Sequence, residues 1–536
     1  MATALFVSIC APLPALAQVR LPALGESASE DFSVGAERRA GESVMREGRR
    51  DPTYLDDPVL LDYLQSLWNP LVAAARASGA IDPDTDQAFA WEAFLLSERS
   101  VNAFAMPGGF VGVHLGLIAL TSSRDQLVSV LAHELSHVTQ RHIARSISVN
   151  QRSSMLGLAA VILGVLAASR GGSIDAANAA IMGGQAAAIQ GQLNFSRDME
   201  READRIGFGL MGAAGFATNG MADMFTRLDA STRLNDNGGF PYLRSHPLTV
   251  DRISEARSRS LLPSGNVAAA PLLHTLMQMR ARVLMDTSVS GLQRLVSGGT
   301  SSNQWQDKVA SAYGAALALS LLKEPARAQS QATLAMRWAS EGNAREPQAE
   351  RALALLLADV RLAGGDAQGA LAALNTLAKA GPPATASPAA LASSERPAML
   401  LRAQAAVTLH QAQPDAPNPQ LRQSTEALQT WLAEQPHDPA AWLLLASTAG
   451  AIDLKLRSLR AGAEAQAALG DIGGAIDRMR AAQSAARAPL GQDFIEASVI
   501  DARLRQLQAQ RRQLALEARE ANGGRAPPRD PNEPPP

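Results

Sequence analysis

The chain has almost no cysteine, since Cys10 is the single one among its 536 residues. If the N-terminal segment is removed after Ala17, the mature protein contains none, so its fold does not depend on disulfide bonds in an oxidising compartment. The same scarcity excludes the closed, cysteine-rich sites that hold structural zinc.

Aromatic residues and excess charge are also scarce. Aromatic side chains make up 4% of the chain, which is rich in alanine, and this composition favours a mostly helical protein. The formal net charge is −2 with both signs well represented, so nothing indicates a nucleic-acid partner. At 536 residues the chain is long enough for more than one domain.

Long apolar runs are scarce as well. Residues 155–169 form an apolar run of 15, short of the roughly 20 residues that a membrane-spanning helix needs. Alanine- and glycine-rich sequence continues to about Gly191. The stretch predicts a loosely packed helical insert, for which a buried helix, a lid and peripheral contact with a membrane are the alternatives.

The first 17 residues are typical of a secretory signal. A short apolar stretch ends in the small-x-small sequence Ala15-Leu16-Ala17, where a signal peptidase cleaves. No lysine or arginine precedes the apolar stretch, which departs from the usual pattern. We expect an exported protein with a cleavable signal.

A metal-site spacing occurs at residues 133–137, which read His-Glu-Leu-Ser-His. Apolar residues recur at helical intervals through residues 127–138, so a buried helix is predicted. His133 and His137 are four apart, lie on one face and can hold one zinc ion, while Glu134 can take a proton from water held there. A pair of structural histidines is the alternative.

A catalytic zinc needs three protein ligands. In one class of zinc protease the third is a histidine six residues after the second, with a glycine before it. Ile143 and Gln140 stand at those positions, which excludes that class. His142 is five residues after His137, turned off the metal face, and is predicted to be a neighbour rather than a ligand.

A glutamate from a second helix is the other solution, and residues 195–205 supply one. Glu200 and Asp204 are four apart and share a face, whereas Asp198 and Glu202 fall on other faces. Glu200 would bind zinc, and Asp204 would accept the outer N–H of a ligand histidine. A solvated, charged helix is the alternative.

Together, the two segments resemble the M48-type zinc metallopeptidases, which pair a His-Glu-x-x-His helix with a later Ser-Arg-x-x-Glu-x-x-Ala-Asp helix. Both patterns are met residue for residue, at 133–137 and 196–204. More closely, the chain resembles the periplasmic branch with a C-terminal tetratricopeptide array, the β-barrel assembly-enhancing proteases of Gram-negative bacteria. The resemblance covers about residues 21–260 well and the later half more loosely.

The resemblance implies one Zn²⁺ per chain, held by His133, His137 and Glu200, with Glu134 as general base. It also implies that His246 and Arg252, in a Ser-His-Pro segment and the helix after it, approach the active site. Either would stabilise the oxyanion, or His246 would occupy the fourth zinc position and hold the enzyme latent.

Residues 87–120 change to strand-like periodicity. Strands are predicted at 89–96, 101–106 and 110–113, with a turn at Pro107-Gly108-Gly109. An exposed edge would let the protease bind an extended peptide as an added strand, and an ordinary hairpin is the alternative. By resemblance, Asn102 and Ala103 lie along the bound peptide.

Residues 266–520 contain no catalytic constellation but do contain a repeat. The segment starting Gly365-Asp366 recurs at Gly470-Asp471, 105 residues later, which is close to three periods of the roughly 34-residue tetratricopeptide unit. Proline-rich stretches at 381–397 and 411–420 are predicted to interrupt the array. A concave solenoid for peptides or partner proteins is predicted, and a generic helical bundle is the alternative.

The predicted organisation is therefore a signal peptide at 1–17, an α+β zincin-type (gluzincin-like) protease domain at 18–265, an all-α tetratricopeptide-like solenoid at 266–520 and a disordered tail at 521–536. By resemblance, the protein is a periplasmic endopeptidase that degrades misfolded or stalled outer-membrane proteins and contacts the barrel assembly machinery through its repeats. The alternative is a chaperone or assembly scaffold that acts through the repeats while the protease is latent.

Overall fold

A computed structural model describes residues 32–150, 196–234, 239–260, 271–299, 304–342, 346–380, 388–487 and 493–521. The predicted signal peptide, the apolar insert and all but the first residue of the predicted tail lie outside these residues. Within them the protein is mostly helical with one small sheet, as the composition predicts. None of the helices there is long and apolar enough to cross a bilayer.

The N-terminal half contains the sheet and the helices around it. Its elements are α1 (Val34–Gly48), β1 (Tyr54–Leu55), α2 (Pro58–Ala77), α3 (Pro83–Ala88), β2 (Glu92–Leu96), β3 (Ala103–Met106), β4 (Phe110–His114), α4 (Leu115–Leu120), α5 (Arg124–Thr139), α6 (His142–Asn150), α7 (Arg197–Ala213), α8 (Asn219–Leu234), α9 (Tyr242–Ser245) and α10 (Val250–Ser260).

The C-terminal half is helical throughout its described residues. Its elements are α11 (Pro271–Leu284), α12 (Val289–Gly298), α13 (Trp305–Leu321), α14 (Pro325–Ser340), α15 (Pro347–Ala363), α16 (Ala367–Ala380), α17 (Pro388–Ala412), α18 (Pro419–Glu434), α19 (Pro439–Ala451), α20 (Lys455–Ala468), α21 (Ile472–Ala486) and α22 (Phe494–Ala521).

The sheet has the order β1-β2-β4-β3, which makes β3 an edge strand. β2 and β4 pair in parallel, whereas β1 with β2 and β3 with β4 pair antiparallel. The β3–β4 hairpin turns through Gly108 and Gly109, whose φ angles of 76° and 86° suit glycine because a Cβ is disfavoured there. The three strands predicted between residues 87 and 120 are thus confirmed.

Side chains alternate between the two faces of the sheet. Ala103 and Val111 point into the main core together with α5, while Phe94 and Phe110 form a second core with Val44 of α1. The sheet therefore lies between the helix that carries the histidine motif and the first described helix.

α5 and α7 each begin just after a serine whose side chain caps the helix. Ser123 Oγ accepts a hydrogen bond from the Gln126 amide at 3.3 Å, and Ser196 Oγ accepts one from the Met199 amide at 3.2 Å. α5 is buried on every side from Gln126 to Val138. The two helices approach closely at Gly207, where an added Cβ would lie 3.1 Å from the Ala132 carbonyl carbon.

The main apolar core runs through both halves of the chain, from Leu60 of α2 to Ala405 of α17. Two adjacent aspartates reinforce this junction. Asp57 accepts two hydrogen bonds of 2.7 Å from Arg280 of α11, and Asp56 accepts two of 2.7 and 2.8 Å from Arg396 of α17. The helical half is thus packed against the half that carries the sheet, through apolar and charged contacts.

Local geometry at the repeated segments is the same in both copies. Gly365 and Gly470 have φ angles of 84° and 83°. The aspartate after each accepts a hydrogen bond from a glycine amide three residues on, at 2.8 Å for Asp366 and 2.9 Å for Asp471. The two copies therefore form equivalent helix–turn–helix connections.

Candidate metal centre

Four buried side chains from α5, α7 and the segment after α9 converge on one point. Their ligand atoms, which come from His133, His137, Glu200 and His246, all lie within 4.8 Å of one another. Nε2 of His133 is 3.0 Å from Nε2 of His137, and Nδ1 of His246 is 3.0 Å from Oε1 of Glu200. Ligand atoms of a tetrahedral zinc with bonds of about 2.0–2.1 Å are separated by about 3.3 Å. The spacing and the donor set therefore fit one Zn²⁺ ion.

The charges in the cluster also fit a cation. Burial lowers the pKa of the His133 imidazole, but hydrogen bonds to Asp204 and Glu200 outweigh burial and raise the pKa to about 10. Burial raises the pKa of Glu200, yet His246 and His133 together hold it well below its usual range. The raised pKa of His133 and the lowered pKa of Glu200 both indicate that the buried cluster favours positive charge, which a divalent cation would supply.

Asp204 lies behind His133, at the place predicted for a carboxylate that orients a ligand. Nδ1 of His133 is 2.9 Å from Oδ1 of Asp204. Since Nδ1 is engaged there, Nε2 faces the cluster. Burial raises the pKa of Asp204, but His133 and Arg252 lower it more, so the carboxylate is ionised.

Arg252 is buried and contacts this carboxylate rather than an open cavity. Its Nε and one terminal nitrogen donate to Asp204 at 2.7 and 2.9 Å, and the other terminal nitrogen donates to the Pro247 carbonyl at 2.8 Å. That last nitrogen also lies 2.7 Å from Oε2 of Glu200. The contact of Arg252 with an oxyanion remains a prediction. These hydrogen bonds do not favour it, because they already engage the guanidinium.

Glu134 is fully buried between the cluster and the sheet. Its Oε2 accepts a hydrogen bond of 2.9 Å from the Ala105 amide of edge strand β3. Among the described residues its Oε1 has no hydrogen-bond partner, and this oxygen lies 3.5 Å from Nε2 of His246. Burial raises the pKa of the Glu134 carboxyl, with His246 and His133 acting against it. The carboxylate is thus close to both the cluster and the strand on which a peptide would bind.

The two residues predicted to lie along a peptide are at the start of β3. Ala103 pairs with Val113 of β4, and the Asn102 carbonyl accepts a hydrogen bond of 3.1 Å from the His114 amide. The Asn102 side-chain oxygen is buried and has no hydrogen-bond partner within the part of the chain that the structure describes. Contact with a peptide stays a prediction for both residues.

Two further residues contact the ligand histidines: Tyr242, which the sequence motifs do not single out, and His142, which its spacing predicts to be a neighbour rather than a ligand. The Tyr242 ring stacks on the His246 ring, with centroids 4.7 Å apart and an interplanar angle of 26°. His142 contacts the ligand histidine His137. An aromatic residue four positions before His246 and a histidine just past the motif helix are the only signals that point to them.

The site region matches the model of "Peptidase family M48" over residues 63–260. A "Putative beta-barrel assembly-enhancing protease" of Vibrio cholerae is 39% identical over 262 residues, which cover 48% of this chain and 52% of the relative. The "Beta-barrel assembly-enhancing protease" of Escherichia coli is 35% identical over 45% of this chain and 47% of its own length.

The chain therefore spans about half the length of these two relatives. A third, the "Beta-barrel assembly-enhancing protease" of Yersinia pestis, is 29% identical over 497 residues, which cover 92% of each chain. The residues matched by the family model contain the His-Glu-x-x-His helix, the glutamate helix and His246. Residues 63–260 of this chain are thus a peptidase family M48 domain.

Proposed function

We propose that this protein is a zinc-dependent endopeptidase. The observation that carries the proposal is the convergence of His133, His137 and Glu200 within ligand distance of one another, with Glu134 hydrogen-bonded to an edge strand beside them. When bound, Zn²⁺ supplies Lewis-acid activation of a water molecule and of a peptide carbonyl.

The residues of the chain perform the remaining steps. The free edge of β3 binds the extended peptide by backbone hydrogen bonds, which presents a carbonyl to the cluster. Glu134 accepts a proton from water as general base and returns it to the leaving amine. Asp204 keeps the His133 proton on Nδ1, and Arg252 keeps Asp204 in place, so we assign Arg252 a positioning role.

His246 supports a proposal about regulation. Its Nδ1 lies 3.2 Å from Nε2 of His133 and 3.0 Å from Glu200, so it occupies the side of the cluster that water would need. An imidazole is a good zinc ligand. We infer that His246 holds the enzyme latent and that its displacement opens the site.

The names of the relatives support a proposal about location and substrates. We propose a periplasmic protein that acts on misfolded or stalled outer-membrane β-barrel proteins and contacts the barrel assembly machinery. We further propose that residues 266–520 form a tetratricopeptide-like array, which the equivalent turns at Gly365 and Gly470 support. The relatives are named as proteases, which does not favour the alternative of a scaffold.

The test is cleavage of an unfolded outer-membrane β-barrel protein by the purified mature chain, beside Glu134→Gln. General acid–base catalysis contributes about 10²–10⁴-fold, so the variant should lose at least about 100-fold in rate while it keeps its zinc. Cleavage retained in Glu134→Gln would contradict the proposal. If neither protein cleaves, His246→Ala should restore cleavage, and an inactive His246→Ala chain would contradict both assignments.

A further inference from the structure

The nitrogens of His133 and His137 that face away from the metal position contact different partners. Nδ1 of His133 meets the carboxylate of Asp204, the usual arrangement for a metal ligand. Nδ1 of His137 lies 2.9 Å from Nδ1 of a third histidine, His142. His142 is fully buried. The proposed metal site assigns no role to this contact between His142 and His137.

The contacts of the two imidazoles determine which nitrogen of each carries the proton. Nε2 of His137 faces the cluster, 3.4 Å from Oε1 of Glu200, so as a zinc ligand that nitrogen carries no proton. A neutral imidazole then carries its proton on Nδ1, which must donate. Nδ1 of His142 must accept, because two N–H groups cannot face each other at hydrogen-bond distance. The proton of His142 consequently lies on Nε2.

The far side of His142 meets this requirement. Its Nε2 is 3.1 Å from Oε2 of Glu202, an acceptor. Arg145 donates to the same carboxylate oxygen at 2.9 Å, which keeps Glu202 ionised and in position. A continuous series of donors and acceptors thus runs from His137 through His142 to Glu202 of α7.

The backbone is bent to bring His142 to this place. On an unbroken helix, a residue five positions after His137 would face another side. α5 ends at Thr139, and Arg141 adopts a left-handed conformation with φ of 49°. Such a conformation costs about 1–2 kcal/mol for a residue with a side chain. Arg141 is held there by Glu37, whose Oε2 accepts from its Nε at 3.0 Å, and by the Phe32 carbonyl at 2.6 Å.

We propose that His142 is a positioning residue that fixes His137 in the tautomer able to bind metal through Nε2. Glu202 in turn fixes the tautomer of His142. The inference rests on the proposed metal site but not on the substrate, and zinc affinity tests it without peptide cleavage. His142 touches neither the reacting atoms nor the metal position and does not act as a fourth ligand.

The experiment compares His142→Leu with His142→Asn. Leucine fills the space without an acceptor, whereas the asparagine Oδ1 occupies nearly the position of Nδ1 and accepts from His137. Zinc affinity is measured by competition with a chromophoric chelator, and the Co²⁺-loaded proteins are compared by their visible absorption. Loss of an outer partner typically costs about 10–100-fold in metal affinity. We expect that loss and a changed cobalt spectrum for leucine, and affinity within about threefold of wild type for asparagine.

Matched variants on α7 make the test independent of folding. Glu202→Gln should lower zinc affinity severalfold, while Asp198→Asn, whose side chain is 93% exposed on the same helix, should not change it. Wild-type affinity in His142→Leu, or equal losses in the leucine and asparagine variants, would overturn the inference. His137→Ala separates the two proposals, because unchanged affinity there would mean that the metal site itself is wrong.

Discussion

Arg252 donates two parallel hydrogen bonds to Asp204, at 2.7 and 2.9 Å, and both side chains are buried. A forked guanidinium–carboxylate pair of this kind has a fixed geometry. Through Asp204 it also fixes the orientation of His133. The arginine thus acts through Asp204 on His133 and helps to determine where a ligand nitrogen points.

Removing this arginine should destabilise the fold. Arg252→Met leaves the Asp204 carboxylate buried with one partner fewer, and breaking a buried ion pair from one side costs about 3–5 kcal/mol. The free energy of unfolding of the metal-free protein, measured in urea, gives the value. The control is Arg259→Ala on the same helix, where the i,i+4 pair with Glu255 contributes only about 0.3–0.5 kcal/mol. A loss below about 1 kcal/mol in Arg252→Met would contradict the assignment.

Gly207 should control the distance between the two ligand-bearing helices. In Gly207→Ala the new Cβ would lie 3.1 Å from the Ala132 carbonyl and 3.2 Å from the His133 amide nitrogen. α7 would have to move away from α5, and Glu200 would move with it. We expect zinc affinity to fall by about tenfold, the equivalent of the roughly 1–3 kcal/mol that overpacking costs.

Gly209 is the matched control, because an added Cβ there would meet no atom of the other described residues within 4 Å. Gly209→Ala should leave zinc affinity unchanged and stabilise the helix by up to about 1 kcal/mol. Chelator competition on both proteins decides the matter. If the two alanine variants bind zinc equally well, close approach at Gly207 does not set the site geometry.

Asp62 of α2 should make stability depend on pH. Burial raises the pKa of its carboxyl to about 6, with Arg351 acting against that shift. Because the folded-state pKa exceeds the unfolded value of about 3.9, its contribution is fully present below about pH 4. That contribution is lost as the pH rises through about 6.

Asp62→Asn should therefore flatten the fall in stability between about pH 4 and 6.5 and be more stable than wild type above it, by up to about 3 kcal/mol. Urea unfolding at several pH values measures both slopes. Asp84→Asn, at an exposed position of α3, is the control and should follow wild type. If the free energies of unfolding of Asp62→Asn and wild type changed in parallel with pH, the Asp62 carboxyl would have the same pKa in the folded and unfolded states.

Much of the site could be predicted because its spacing is local. His133 and His137 share a helix, and so do Glu200 and Asp204, so the 3.6-residue period alone places each pair on one face. The caps at Ser123 and Ser196 likewise depend on residues three positions away. Strands β3 and β4 could be predicted because their turn needs glycine at positive φ, and Gly108-Gly109 supplies it.

Contacts between distant segments could not be predicted in the same way. β1 has only two residues, Tyr54 and Leu55, and its pairing with β2 leaves no periodic pattern. Helical periodicity places His142 and Glu202 off the metal face, but the left-handed turn at Arg141 brings His142 back to His137. A break in the helix overrides the period on which that prediction depends.

Proline-rich sequence did not correctly predict where the helices of the C-terminal half are interrupted. The predicted interruption at 381–397 is wrong over its later part, because α17 begins at Pro388 and continues through Pro397 to Ala412. An interior proline removes one backbone hydrogen bond and costs about 3 kcal/mol. The residue before it, Arg396, forms a buried cluster with Asp438 and Asp56 that favours the helix at this position.

Asp56 and Asp57 are consecutive in the chain, yet each receives a different arginine, from α17 and from α11. These two arginines lie 116 residues apart, from 280 to 396. The pair of aspartates therefore connects two helices that are distant in sequence, α11 and α17, to the start of α2. A chain cut near residue 265 would lose both counter-charges and much of the shared core at once. The two halves are thus expected to melt as one cooperative unit, and a conformational strain imposed on the array would reach the peptidase helices through these two side chains.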